Sequence, residues 1–226
     1  MRAALRSVRL SLELLLGRRL ALFAVVDAVV IGFCLLGMLL EAEGDPRGLY
    51  QSVVLVPYLL LGIPALAGLV DVERRAGCLD LALSAPSAEG YFVRRAAAVC
   101  AVLSLQGWGM MLLGWIYEPG SFPILPVLVH IPVVSAFLGT VALFWAVRVR
   151  TAGGVWLATL ATVGLLHRWF FANPVPERHG ADYGAFLAGP LPSLEWLWSL
   201  AVLAGGALLF FLYARRRLRR PETMLS

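Results

Sequence analysis

Six apolar stretches, each close to the length of a membrane-crossing helix, limit the folds that this chain can adopt. They cover 20–40, 51–70, 96–116, 122–147, 151–171 and 193–213. A helix needs about 20 apolar residues to cross the hydrocarbon core of a bilayer. Only 15% of the residues are charged, against about 25% in soluble domains, and the mean hydropathy is +0.82. We therefore predict a single all-α domain over residues 1–226, a polytopic membrane protein with six transmembrane helices.

The arginines predict how these helices are oriented. Of the 19 basic residues, 16 lie in the N-terminal segment, in 71–95, in 148–150 and in the tail 214–226. Loops rich in basic residues stay in the cytoplasm, so both termini are predicted to be cytoplasmic. The net charge of +5 does not indicate nucleic-acid binding, because the arginines form short runs beside apolar stretches.

Two segments outside the six stretches are predicted to lie at the membrane surface. In residues 1–19, four charged residues share one face of a helix, at i, i+4, i+7 and i+11: Arg2, Arg6, Arg9 and Glu13. This pattern predicts an interfacial elbow helix, with a cleaved signal peptide as the alternative. Residues 172–192 are too few for a folded domain, and their flanking aromatic residues favour a short hairpin in the outer leaflet.

Several kinds of chemistry are excluded or disfavoured by the residue types. All 19 basic residues are arginine, and without lysine the chain has neither a P-loop nor a Schiff-base amine. Cys34, Cys78 and Cys100 are too widely spaced for a disulfide framework or a metal cluster. No nucleophile elbow or paired metal-ligand motif occurs. We therefore expect no catalytic residue, metal or cofactor in this chain, and an intramembrane enzyme ranks last.

The polar segment 71–95 resembles the first cytoplasmic loop of ABC-2 type transporter permeases. That loop carries a glutamate, a glycine, a leucine, an acidic residue, a second leucine and a proline, before a basic residue that opens the next span. The matching residues are Glu73, Gly77, Leu79, Asp80, Leu83, Pro86 and the pair Arg94 and Arg95. Chain length, the elbow segment and six spans add to the resemblance.

The resemblance implies the transmembrane subunit of an exporter in a bacterial or archaeal cytoplasmic membrane. Such subunits form dimers with a second permease copy, identical or not, and bind two separate ABC ATPase subunits, which hold ATP and Mg²⁺. The 71–95 segment would then be the coupling loop, with leucines anchored in the ATPase and flanking charges selecting its surface. Gly77 and Pro86 would bracket a rigid lever. An interfacial loop without a partner is the alternative.

A narrower resemblance covers 137–166, which is similar to part of CcmB, the permease of the haem-exporter-type complex in cytochrome c maturation. The chain departs from that family in having no proline in 158–166 and no tryptophan-rich haem-handling motif. A haem-related role is kept as an alternative. A membrane scaffold that transmits ATP-driven motion without transport is another.

Asp27, Gln106 and His130 are polar residues inside predicted spans. Polar groups are costly to bury in a bilayer, so such positions are candidates for a substrate path. Asp27 and His130 could equally be satisfied by neighbouring helices. A single histidine forms no metal site.

Overall fold

The computed structural model of the chain describes residues 62–79, 82, 88–117, 124–171 and 194–220, and six separate residues of the first predicted span. The continuous ranges contain five helices: α1 (Ile63–Arg75), α2 (Ala88–Tyr117), α3 (Ile124–Ala146), α4 (Ala152–Phe171) and α5 (Leu194–Leu218). No strand occurs in these ranges. The all-α prediction is confirmed for this part of the chain.

The predicted first span is represented only by residues at the spacing of one helical face. All are helical and exposed: Val25, Ala28, Val29, Gly32, Phe33 and Leu36. The elbow segment 1–19 and the hairpin 172–192 lie outside the described residues. Two helical segments are long and apolar enough to cross a membrane, Glu89–Leu113 and Ile124–Ala146, and a shorter apolar one covers Ala152–Leu166. The six-span arrangement stays a prediction.

Helix α3 is the centre of the bundle and contacts each of the other four helices. Its sequence is apolar on all sides, which is typical of a helix surrounded by others. Ile131, Leu138 and Val141 are fully buried. The helix begins at Ile124, directly after Pro123, and continues past Pro132 to Ala146.

The polar connection between α1 and α2 is shorter than the hydropathy pattern predicts. Helix α1 continues beyond residue 70 to Arg75, and α2 begins at Ala88 rather than at 96. Charged residues do not end a helix by themselves, and Asp71 and Arg75 form an i,i+4 ion pair of 2.6 Å along the last turn of α1. The apolar stretches therefore locate the helices but not their ends.

Close packing between α3 and α5 depends on one glycine and a series of aromatic rings. The Phe210 ring lies 6.2 Å from that of Phe137 and 5.1 Å from that of Phe144, in edge-to-face contacts. A Cβ on Gly206 would lie only 2.9 Å from the Phe137 ring. A Cβ on the preceding Gly205 would meet nothing within 4 Å.

We expect Gly206→Ala to destabilise the protein by about 1–3 kcal/mol, the usual cost of overpacking a filled interior. Gly205→Ala is the matched control and should be neutral or slightly stabilising, since alanine favours the helix. Thermal unfolding of the two purified variants measures both effects. Equal stability of the two variants would show that α3 and α5 are not packed as described.

Candidate functional site

Three segments that the sequence places on the cytoplasmic side meet at one end of the bundle. Arg74 at the end of α1 donates hydrogen bonds to the backbone carbonyls of Val149 and Arg150, between α3 and α4. Arg219 near the end of α5 donates to Glu89 at the start of α2 over 2.8 Å. The sequence predicted that these segments share a side, and the contacts agree. We call this region the polar end.

An ion pair between Glu73 and Arg95 lies buried at the polar end. The side chains are 6% and 2% exposed, and an Arg95 Nη1 donates to Glu73 Oε1. The Tyr91 hydroxyl donates to the same carboxylate oxygen over 2.8 Å and accepts from Arg95 Nη1 over 3.0 Å. Tyr91 and Arg95 share a face of α2 because they are four residues apart. We name Glu73, Tyr91 and Arg95 the brace, since they join the end of α1 to the start of α2.

The brace is only partly satisfied by hydrogen bonds. Within the described part of the chain, no group hydrogen-bonds to Glu73 Oε2, Arg95 Nε or Arg95 Nη2. Removing two charges from water costs several kcal/mol per ion, and one shared contact offsets only part of this cost. The ion pair therefore contributes a specific alignment of the two helices more than it contributes stability.

Gly77 ends α1 in a Schellman motif, which is a common helix stop. The Cys78 N–H donates to the Glu73 carbonyl over 3.0 Å, and the Gly77 N–H donates to the Arg74 carbonyl over 3.2 Å. Gly77 has φ +66°, a left-handed conformation that glycine adopts without the steric cost of a Cβ. The prediction that Gly77 and Pro86 bracket a rigid lever stays a prediction, because Pro86 lies outside the described residues.

The structure corrects the expected roles of three residues in the loop motif. Leu79, expected to anchor a partner, is 7% exposed and belongs to the chain's own core, as does the fully buried Phe92. Glu73 and Arg95, expected to select a partner's surface, face each other inside the protein. Among the described residues of this segment, the exposed charges are Arg75 and Arg94. Asp80 and Leu83 lie outside the described residues.

Residues that the sequence analysis did not single out complete the polar end. Glu89 pairs with both Arg215 and Arg219 of α5. The Arg148 guanidinium lies 4.5 Å from the Phe144 ring centroid and 4.4 Å from that of Tyr213, and it donates to the Tyr213 hydroxyl. The signal that could have revealed the brace is the i,i+4 spacing of Tyr91 and Arg95. The residues around Glu89 in the sequence do not indicate that it pairs with the arginines of α5.

Opposing effects act on the pKa of Arg74. Burial lowers the pKa of its guanidinium from the ordinary value, Asp71 opposes this change and Arg150 adds to it. An arginine stays protonated despite such a change, so Arg74 holds the α3–α4 connection with a charged donor.

Two of the predicted substrate-path residues, Gln106 and His130, are described, and neither belongs to the brace. Gln106 is half-buried on α2 and His130 is fully buried on α3, and each makes a polar or electrostatic interaction in the fold. This agrees with the structural alternative for His130. Asp27 lies outside the described residues. In the part of the chain that is described, no three His, Cys, Asp or Glu side chains group to hold a metal, and neither Cys78 nor Cys100 forms a disulfide.

Comparison of the chain with protein-family models, with curated proteins and with solved structures returned no significant match. The resemblance to ABC-2 type permeases therefore rests on the residues of segment 71–95 and on the pattern of apolar stretches. The function argued from it is a proposal.

The brace predicts a large difference between two adjacent arginines. Arg95→Met leaves the Glu73 carboxylate buried without its cation, which should cost about 3–5 kcal/mol of unfolding free energy. Arg94→Met, on the exposed neighbour, should cost less than about 0.5 kcal/mol.

The double variant Glu73→Leu with Arg95→Met should recover most of the loss, because no unpaired charge remains buried. Unfolding of the wild type, Glu73→Leu, Arg95→Met and the double variant in one buffer gives the complete double-mutant cycle. Additive losses in the double variant, or equal effects of Arg94→Met and Arg95→Met, would contradict the pairing.

Proposed function

We propose that this chain is the transmembrane subunit of an ATP-driven exporter of the ABC-2 type. In this proposal it lies in a bacterial or archaeal cytoplasmic membrane with both termini inside. A second permease subunit completes the path, and separate ATPase subunits bind ATP and Mg²⁺. The observation that carries the proposal is the brace between the end of α1 and the start of α2, which lies within the segment that resembles the coupling loop.

The distribution of apolar and polar side chains supports embedding in a membrane. Large apolar side chains are exposed along α2 to α5, among them Leu105, Ile116, Leu125, Leu165 and Leu209. Buried positions include polar or charged ones: Glu73, Arg95, Ser104, His130, Ser135 and Thr159. Exposed large apolar side chains on four helices suit an apolar surrounding or partner. Where polar groups occur in membrane-spanning helices, they face the interior of the bundle, as these buried positions do.

The brace gives the connection a means of transmitting force. A load on the exposed Arg75 and Arg94 reaches α1 and α2 together, because Glu73 and Arg95 join the two helices a short distance away. Arg74 carries the same load to the carbonyls between α3 and α4. A rigid connection between helices suits the hinge and rocking motions through which one subunit moves another.

The partner surface in this proposal is recognised by charge more than by leucines. Leu79 is committed to the core, whereas Arg75, with a side chain 67% exposed, and the exposed Arg94 are available. Exposed charges raise the rate and the specificity of association. Closure of the ATPase subunits on ATP would then move the connection, and the spans would open the path outward.

Reversing the two exposed charges should disrupt the proposed coupling. We expect the double variant Arg75→Glu with Arg94→Glu to co-purify with at least about ten-fold less ATPase than the wild type does, because like charges across an interface cost several kcal/mol. Affinity purification of the full chain from its native membrane, with ATP hydrolysis as the readout, measures this.

Arg216→Glu is the matched control at the same end of the bundle and should retain the ATPase. Absence of any ATPase from the wild-type preparation would contradict the proposed function. Unchanged hydrolysis in the double variant would remove the coupling role of Arg75 and Arg94. A retained ATPase without any export would favour the scaffold alternative.

A further inference from the structure

Four helices of the bundle are arranged in order around α3. Each of them packs against α3, and their contacts with one another give the order α4, α1, α2, α5. Helix α1 packs more extensively against α3 and α4 than against α2. The boundary between α1 and α2, which we call the seam, therefore divides the bundle into two halves, α4 with α1 and α2 with α5.

Each half has polar contacts of its own at the polar end. Arg74 of α1 donates to two backbone carbonyls in the connection that leads into α4. Glu89 of α2 pairs with two arginines of α5. Arg148, just after the end of α3, stacks on the Tyr213 ring and holds α5 to α3. None of these contacts joins α1 to α2, so they are retained when the two helices separate.

The brace crosses the seam, with Glu73 on α1 and both Tyr91 and Arg95 on α2. In the described part of the chain, Glu73 Oε2, Arg95 Nε and Arg95 Nη2 have no hydrogen-bond partner. Separation of the two helix ends lets water bind these atoms and restores hydration that the buried pair has lost. Two apolar side chains at the same place would regain nothing and would resist separation. A charged pair thus makes the seam easier to open than an apolar pair does.

We propose that the brace is a latch between two halves of the bundle that move against each other about α3. The structure shows the closed form, in which Glu73 and Arg95 are paired. In the open form the ends of α1 and α2 are apart at the polar end, α4 has moved with α1, and water lies between the two charges. The latch is a property of this chain alone, whereas its use by an ATPase rests on the proposed function.

Two buried valines can report on opening of the latch. Val99 lies four residues after Arg95, so it shares the face of α2 that carries the brace, and it is 3% exposed. Val155 lies in the first turn of α4, away from the seam, and is 2% exposed. Both belong to the core. Opening of the latch brings water to Val99 and leaves Val155 buried.

The test measures the reaction of a cysteine at each position with a water-soluble maleimide. It uses the full chain in a neutral detergent, in a background with Cys34→Ala, Cys78→Ala and Cys100→Ala. With the brace intact, we expect Val99→Cys to react at least about ten-fold faster than Val155→Cys, because the reaction of a buried group follows the population of the open form.

The double variant Glu73→Leu with Arg95→Met replaces the latch by an apolar contact. It should slow the reaction of Val99→Cys by about ten-fold or more and change that of Val155→Cys by less than about two-fold, since opening then restores no hydration. Arg94→Met, on the exposed neighbour, is the matched control and should leave both rates unchanged.

Reaction of Val99→Cys as slow as that of Val155→Cys, with the brace intact, would overturn the latch, and this comparison does not depend on the double variant. Unchanged or faster reaction of Val99→Cys in the double variant would also overturn it, because the ion pair would then not ease opening. Equal slowing at both positions would contradict it as well, since the whole bundle would have become tighter. These rates involve no ATPase, so failure of the latch is distinguishable from failure of the proposed function.

Discussion

The buried ion pair between Glu73 and Arg95 is the interaction on which the polar end depends. Burying either charge alone costs far more than burying the two in contact, so α1 and α2 must be aligned before either can leave water. Tyr91 adds a hydrogen bond to the carboxylate, and the buried Leu79 and Phe92 belong to the surrounding core. The end of α1 and the start of α2 are consequently held together. In the proposed exporter, this is what allows a push at the surface to move two helices together.

The contacts of the guanidinium groups at the polar end explain why arginine suits these positions better than lysine. Arg95 is buried against a carboxylate, Arg74 donates to backbone carbonyls, and Arg148 stacks between two aromatic rings. Arginine suits all three positions because its planar group has five donors, stacks on aromatic faces and is weakly hydrated compared with an ammonium. The same residue type that predicts topology in the sequence thus also holds the polar end together.

The sequence predicted the features that depend on neighbouring residues. The apolar stretches located α1 to α5, and parts of three of the four arginine-rich segments meet at one end of the bundle. The positive φ of Gly77 explains why glycine occupies this position. Each of these conclusions follows from composition or from the conformational preference of one residue.

The features that the sequence did not predict depend on residues far apart in the chain. Glu73 and Arg95 are separated by 22 positions, and hydropathy does not distinguish a charge at the protein surface from one paired inside. Leu79 was assigned to a partner for the same reason, since an apolar residue in a polar segment fits both a partner and the core. Arg219 likewise pairs with Glu89, which lies 130 positions away in the sequence. Tertiary contacts of this kind have no local signal.

Hydrogen exchange at the start of the connection tests most directly whether the brace holds it in place. The N–H groups of Ala76, Gly77 and Cys78 donate to the carbonyls of Val72, Arg74 and Glu73, so they report on this turn. The account predicts protection of a peptide covering these residues in the wild-type protein. In Glu73→Gln that protection should be lost, while peptides of α3 exchange as slowly as before. Unprotected exchange in the wild type, or unchanged protection in Glu73→Gln, would contradict the central role of the ion pair.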